Sequence, residues 1–247
     1  MSDVLGLIPV WLIITPLIGV VNGALFFLIV GRRASSLPLY LVLAVAAASL
    51  VEASGLVPSG EPPFSLVVLC TGNQIRSPAV EGFVRQYAAS LPLVVSSAGM
   101  LDTSATTAYP AAVEAAARLG LDLSAHRTRH VSDLRLDKAD LVVGFERGHV
   151  ARAVVDGSSR NERTFTLPEL IELLELLPPS QEIRPLDRAR GAVAAADELR
   201  GRGVGFPAGE VADPIGRRTK DVRETVSLLR ELSKRLVNGL FGVDPSR

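Results

Sequence analysis

The chain of 247 residues holds one cysteine, Cys70. It can therefore form no disulfide within itself and no cysteine-based zinc site. It has no excess of either charge: Lys+Arg and Asp+Glu both number 26. The basic surplus of a nucleic-acid-binding surface is missing, so nucleic acid is not expected among its partners. Charge is also scarce at one end. Up to Gly60 the only charged side chains are Asp3, Arg32, Arg33 and Glu52, whereas from Glu61 onward both signs are dense. The length accommodates one ordinary α/β domain and something extra.

Residues 4–30 run without a charge, and a bilayer-spanning helix needs only about 20 apolar residues. A secretory signal would open on basic residues and carry an apolar run of about 7–15. Here the first charge is Asp3. Pro9, Pro16 and Asn22 are kinks that membrane helices tolerate. After a short break containing Arg32 and Arg33, residues 37–50 form a second apolar run, with a weaker tail to Val57. Residues 1–57 are read as a membrane anchor of two transmembrane helices; one span plus an interfacial helix is the alternative. The Pro/Gly-rich residues 58–64 read as a linker, and residues 65–247 as the domain that follows.

That domain alternates strand and helix patterns. Apolar, partly β-branched strands are expected at 65–69, 93–96, 140–145 and 164–167. Helices are expected at 77–89, 110–119, from about Gly148, from Pro168, at 187–200, and along the stripe Val222, Val226, Leu229, Leu232, Leu236 and Leu240. Such alternation gives an α/β fold, a parallel sheet with helices on both faces, which binds ligands beyond the carboxyl ends of its strands. Cys70 lies at that end of the first strand.

The string Cys70-Thr71-Gly72-Asn73-Gln74-Ile75-Arg76-Ser77-Pro78 joins that strand to a helix. A loop wrapping back into a helix N-terminus turns consecutive amides inward and makes a nest for an anion. Thr71, Gly72, Asn73, Gln74, Ile75, Arg76 and Ser77 are the expected phosphate-binding residues, with Gly72 free to take a positive φ. Cys70, set among amide donors beside a guanidinium, is the expected nucleophile. Arg76 can grip two phosphate oxygens and stabilise transition-state charge. Ser77 can donate to the sulfur as it leaves, and Asn73 can hold the loop's shape.

The whole string, C-x-G-N-x-x-R-S-P, resembles the signature of the low-molecular-weight protein-tyrosine-phosphatase family. Ser97-Ala98-Gly99 is similar to its second-strand motif, His126-Arg127-Thr128-Arg129 to an H-R-S-R-like segment, and Asp213-Pro214 to its late D-P motif. The resemblance runs from about Ser65 to Phe241. It implies a four-stranded parallel sheet and two in-line displacements through a cysteinyl-phosphate, without metal or other cofactor. It also implies Asp213 as general acid and base, Ser97 as a supporting residue, and a phosphorylated protein as substrate. Some members suggest a tyrosine kinase of polysaccharide export. Two departures matter. Ile215 stands at the substrate entrance where the family usually has an aromatic residue, and Ile75 where many members carry a second cysteine.

Without that second cysteine an oxidised Cys70 has no internal partner, which favours a reducing compartment. Arg32 and Arg33 vote the other way, since a basic turn is kept in the cytoplasm and would put both termini outside. The expectation is a bacterial inner-membrane protein with its catalytic domain on the cytoplasmic side. Two other functions remain open: a non-catalytic phosphate-ligand binding module at the membrane, and an arsenate reductase, which would want further cysteines. His126 and His130 lack a third ligand, His149 is expected on a helix surface, and Arg127, Arg129 and Arg135 read as a solvated face.

Overall fold

The computed structural model describes residues 60–103, 105–204 and 209–243. The two membrane helices expected within residues 1–57 lie outside them. Among the described residues no helix is long and apolar enough to cross a membrane. From Pro62 onward the described residues fall in one compact unit, Pro62–Arg247.

Strand β1, Phe64–Cys70, is buried at every position except the half-buried Ser65. A run of Leu and Val buried on both faces suits only the middle of a covered parallel sheet. Around it come α1 (Arg76–Tyr87), β2 (Leu93–Gly99), α2 (Pro110–Ala117), β3 (Leu141–Gly144), α3 (Arg147–Val155), β4 (Thr164–Thr166), α4 (Leu167–Leu176), α5 (Pro185–Gly201) and α6 (Thr219–Phe241). The sheet order is β2-β1-β3-β4, with every pair parallel. Because β1 has β2 on one side and β3 on the other, the chain reverses its direction of travel across the sheet at β1. Such a switch point opens a crevice at the strand ends. The register sets Cys70 opposite Gly99 there.

The alternation of β1 feeds two cores. Leu66, Val68 and Cys70 join the larger one, with Phe83, Val84, Leu170, Leu229 and Leu236. Val67 and Leu69 face the other way, toward Ala98, Leu136, Val142 and Ala153. The expected stripe on α6 is buried from Val222 to Leu240, and the helix stops at Gly242 with φ 66°, a left-handed cap that glycine takes without strain. Helix α4 starts on a capping box, Thr166 with Glu169, and has Pro168 in its first turn.

Helix α5 does more than fill a surface. Arg200 lies 3.9 Å from the Phe165 ring centroid and donates to the Thr164 carbonyl at 2.8 Å. Arg188 donates to the Phe241 carbonyl at 2.9 Å, closing the end of α6. Arg190 reaches Asp140 at 3.2 Å and the Pro62 carbonyl at 3.4 Å. The second oxygen of Asp140 accepts from the Ser65 amide at 2.9 Å. This clamp binds the base of β1 to the residues just before β3.

Candidate active site

The segment after Cys70 curls immediately. Leu101 donates its amide to the Thr71 carbonyl and Met100 to that of Cys70, both at 2.9 Å, so the end of β2 lies against the loop. A Cβ on Gly99 would sit 2.9 Å from the Gly72 carbonyl carbon, 3.0 Å from the Asn73 nitrogen and 3.1 Å from the Thr71 oxygen. Only glycine permits that approach. The residue that turns the loop is Asn73, with φ 54°, and Gly72 does not adopt the positive φ expected of it. Asparagine tolerates the left-handed region because its amide makes local hydrogen bonds.

Those bonds are several. Asn73 Nδ2 donates to Ser77 Oγ at 2.9 Å and to Ser97 Oγ at 2.8 Å, while Oδ1 accepts from the Arg129 amide at 2.9 Å. Its own amide donates to Cys70 Sγ at 3.2 Å. Ser77 Oγ, already accepting from Asn73, has its proton to give, and Cys70 Sγ at 3.0 Å is nearer than the Ala98 carbonyl at 3.5 Å. Ser97 in turn donates to Glu81 Oε2 at 2.5 Å. Asn73, Ser77 and Ser97 are all fully buried, so an unmade bond here carries its full desolvation cost.

Arg76 is 1 % exposed. Its Nη1 donates to the Val211 carbonyl at 2.8 Å and to Glu146. Its Nη2 donates to Thr71 Oγ1 at 2.9 Å and to Asp213 Oδ2 at 2.5 Å. The guanidinium carbon lies 5.6 Å from the Phe145 ring centroid. Arg76 thus ties the loop that follows Cys70 to Asp213, far along the chain. The second Asp213 oxygen is held by the Ile215 amide at 3.2 Å, and Ile215 itself is 43 % exposed. Ile75 points into the large core, leaving its amide to the loop, and Gln74 is half-buried with its carbonyl taken by the Tyr109 amide at 2.9 Å. The amides of Gly72, Gln74 and Ile75 find no acceptor among the described residues. Paired amides are the rule in a folded chain, so three donors left over in one loop suit an anion.

Two histidines belong to this site, His149 and His126, the first of them expected elsewhere. His149 is buried, 6 % exposed, rather than on a helix surface. Its Nδ1 accepts the Phe145 amide at 3.3 Å and the Glu146 amide at 3.2 Å. Nε2 therefore carries the proton and donates to Thr71 Oγ1 at 3.2 Å. Thr71 Oγ1 then accepts from both His149 and Arg76, which fills its two lone pairs and leaves its own proton free to donate. Burial pushes the His149 pKa down, and the Arg76 charge adds to the effect. His126 donates through Nε2 to the Asn73 carbonyl at 2.8 Å, and burial lowers its pKa too. His130 pairs with Ser132 at 2.8 Å. No group of three or more metal-ligating side chains occurs among the described residues.

Glu146, His149, Glu81 and the Val211 carbonyl were not singled out from sequence. Glu146 follows β3 directly, and a polar residue just past a buried strand at the carboxyl edge is the signal that could have found it.

The geometry has counterparts in known proteins. The family model described as low molecular weight phosphotyrosine protein phosphatase matches residues 65–176, so Asp213 lies beyond the matched stretch. "Probable low molecular weight protein-tyrosine-phosphatase EpsP" of Ralstonia nicotianae is 36% identical over 99 residues, 40% of this chain and 59% of that protein. The chain thus spans less than two thirds of that relative's length. Low molecular weight protein-tyrosine-phosphatase Etp of Escherichia coli is 30% identical over 116 residues, covering 47% of this chain and 76% of Etp. Among solved structures, the YwlE arginine phosphatase from Geobacillus stearothermophilus has a TM-score of 0.53 and 23% identity over 71% of this chain and 92% of that one. At that identity the likeness concerns the fold.

Proposed function

We propose that this chain, which belongs to the low molecular weight protein-tyrosine-phosphatase family, hydrolyses phosphotyrosine on proteins through a cysteinyl-phosphate. The observation that carries the reading is the gathering of Cys70 Sγ, Asp213 and the buried Arg76 around a loop in which the amides of Gly72, Gln74 and Ile75 find no acceptor among the described residues.

In the first step the Cys70 thiolate attacks phosphorus, forming the P–S bond as the P–O bond to the tyrosyl oxygen breaks. Asp213 supplies the proton that oxygen needs. Phosphate and Asp213 compete for the same Nη2 of Arg76. Phosphate arrival therefore frees the carboxyl to swing to the leaving oxygen, while Glu146 and the Val211 carbonyl keep Nη1 in place. In the second step Asp213 takes a proton from water, the new P–O bond forms, and the P–S bond breaks. Ser77 stabilises the departing thiolate by the hydrogen bond already aimed at it. The free proton of Thr71, kept outward by His149, adds a donor toward a phosphate oxygen.

Residues 1–57 fit a membrane anchor, and the lone Cys70 fits a reducing compartment, so the reading extends to an inner-membrane protein acting on phosphorylated proteins in the cytoplasm, a polysaccharide-export tyrosine kinase among the candidates. Phosphate release from an aryl phosphate and a phosphotyrosyl peptide by the full chain tests the enzymatic part. Cys70→Ser should abolish turnover, and turnover that survives it refutes the assignment. Tight phosphopeptide binding with no phosphate released would instead favour a binding module. Retention of the full chain in carbonate-washed membranes, with protease access to its C-terminus, tests the anchor and its side.

A further inference from the structure

Among the described residues almost every cationic side chain is committed. Arg85, Arg118, Arg135, Lys138, Arg152, Arg160, Arg202, Arg218, Lys220, Arg223, Lys234 and Arg235 each pair with a carboxylate. Arg127 and Arg163 donate to carbonyls, and Arg230 to a tyrosine hydroxyl. Three exposed guanidiniums make no hydrogen bond or ion pair: Arg129, Arg147 and Arg217.

Their positions are not scattered. The amide of Arg129 bonds Asn73 inside the phosphate loop, and its charge is felt by His126, whose ring touches the same loop. Arg147 directly follows Glu146, the partner of Arg76. Arg217 is folded back onto Pro214, its amide bonding that carbonyl at 3.1 Å, beside Asp213. Three separate segments whose backbone or next residue touches the site therefore each carry one exposed guanidinium with no ion pair. Of the acidic groups nearby, Glu146 and Asp213 hold Arg76, Glu210 accepts the Arg147 amide at 2.8 Å, Asp221 pairs with Arg218 and also feels the Arg217 charge, and Asp102 is exposed next to Leu101. The Arg135 of the expected solvated face is bidentate with Asp137 and drops out.

We infer that Arg129, Arg147 and Arg217 form a docking rim for Asp- or Glu-rich sequence on both sides of the phosphorylated residue. This rests on the phosphatase reading and adds its substrate class. Arginine suits the task, since its planar fork meets a carboxylate in two bonds at once. With Ile215 offering no aromatic face to the phosphorylated side chain, selectivity shifts outward to flanking charge.

The test uses the full chain and three substrates: a small aryl phosphate, a phosphotyrosyl peptide with neutral flanks, and one of equal length with acidic flanks. The acidic peptide should have the higher kcat/KM, by about tenfold for a few exposed charge pairs at low ionic strength, and the advantage should shrink as salt rises. Arg147→Ser with Arg217→Ser should remove most of it while leaving aryl phosphate turnover unchanged. Arg135→Ser should leave it intact. If the chain hydrolyses the aryl phosphate yet treats both peptides alike, the docking rim is wrong and the phosphatase reading stands. If it releases phosphate from none of the three, both fail. If the two arginines govern binding to anionic phospholipid vesicles and not peptide preference, the rim is a lipid contact and the inference is overturned.

Discussion

Replacing Gly99 by alanine is a sharp test of how the site is built. The added methyl would meet three backbone atoms of the phosphate loop at 2.9, 3.0 and 3.1 Å. None of them is the end of a flexible side chain, so either the loop or the end of β2 must move by several tenths of an ångström. Overpacking of this kind costs about 1–3 kcal/mol, which for a domain this size lowers Tm by about 2–12 °C. The loop is the weaker side, since β2 is paired along its length to β1. Displacement falls on the amides of Gly72 and Asn73, and misplacement near 1 Å costs about a hundredfold in rate. Phosphate release at saturating aryl phosphate, measured beside a thermal melt, should show a kcat loss larger than the stability loss explains. Gly191→Ala is the control: its Cβ meets nothing within 4 Å, and alanine in mid-helix gains about 0.5–1 kcal/mol. A Gly99→Ala chain with unaltered kcat and Tm would refute the close packing of loop on strand.

Asn73→Ala loses three buried side-chain hydrogen bonds, for about 3 kcal/mol, and strains a backbone at φ 54°; the melt should fall further than for Asn73→Gly. Arg76→Lys cannot serve Glu146, Val211, Thr71 and Asp213 together, and kcat should drop by about 10²–10³. Arg200→Met removes two carbonyl bonds and should cost about 2 kcal/mol with kcat untouched, since α5 lies away from the mouth; a changed kcat would place it in the site. Burial lowers the pKa values of both His126 and His149 from 6.5. The unfolded chain then binds more protons than the folded one, so stability is complete above about pH 6.5 and declines as pH falls through and below that value. Melts from pH 8 to 5 should show this slope, reduced in His149→Gln.

The order of strands and helices was legible because β1 and β3 are short apolar runs, β2 opens on one, and α6 repeats its apolar stripe without interruption. The loop was legible for a different reason: Cys70, Gly72, Asn73 and Arg76 fall within one short unbroken string, so spacing alone reports geometry. What failed to show in sequence was contact between segments. Glu146 acts on Arg76 across 70 positions and His149 on Thr71 across 78, and no periodicity records that β3 ends beside β1. Gly72 was credited with the left-handed turn on residue type, whereas the hydrogen-bonding side chain of Asn73 decided it. The contacts of the α5 arginines were not legible because their acceptors, the carbonyls of Thr164, Asn161, Phe241 and Pro62, leave no trace in a side-chain pattern.

Strand β1 both receives the chain from the residues before it and delivers the sulfur at its far tip. Any pull on the preceding chain would act along the same line that sets Cys70 against Gly99. The brace formed by Asp140 between Ser65 and Arg190 takes such a load at the foot of the strand and hands it to β3 and α5. A slip of one residue would turn every side chain to the opposite face, and the brace opposes such a slip at the foot of the strand that ends on Cys70.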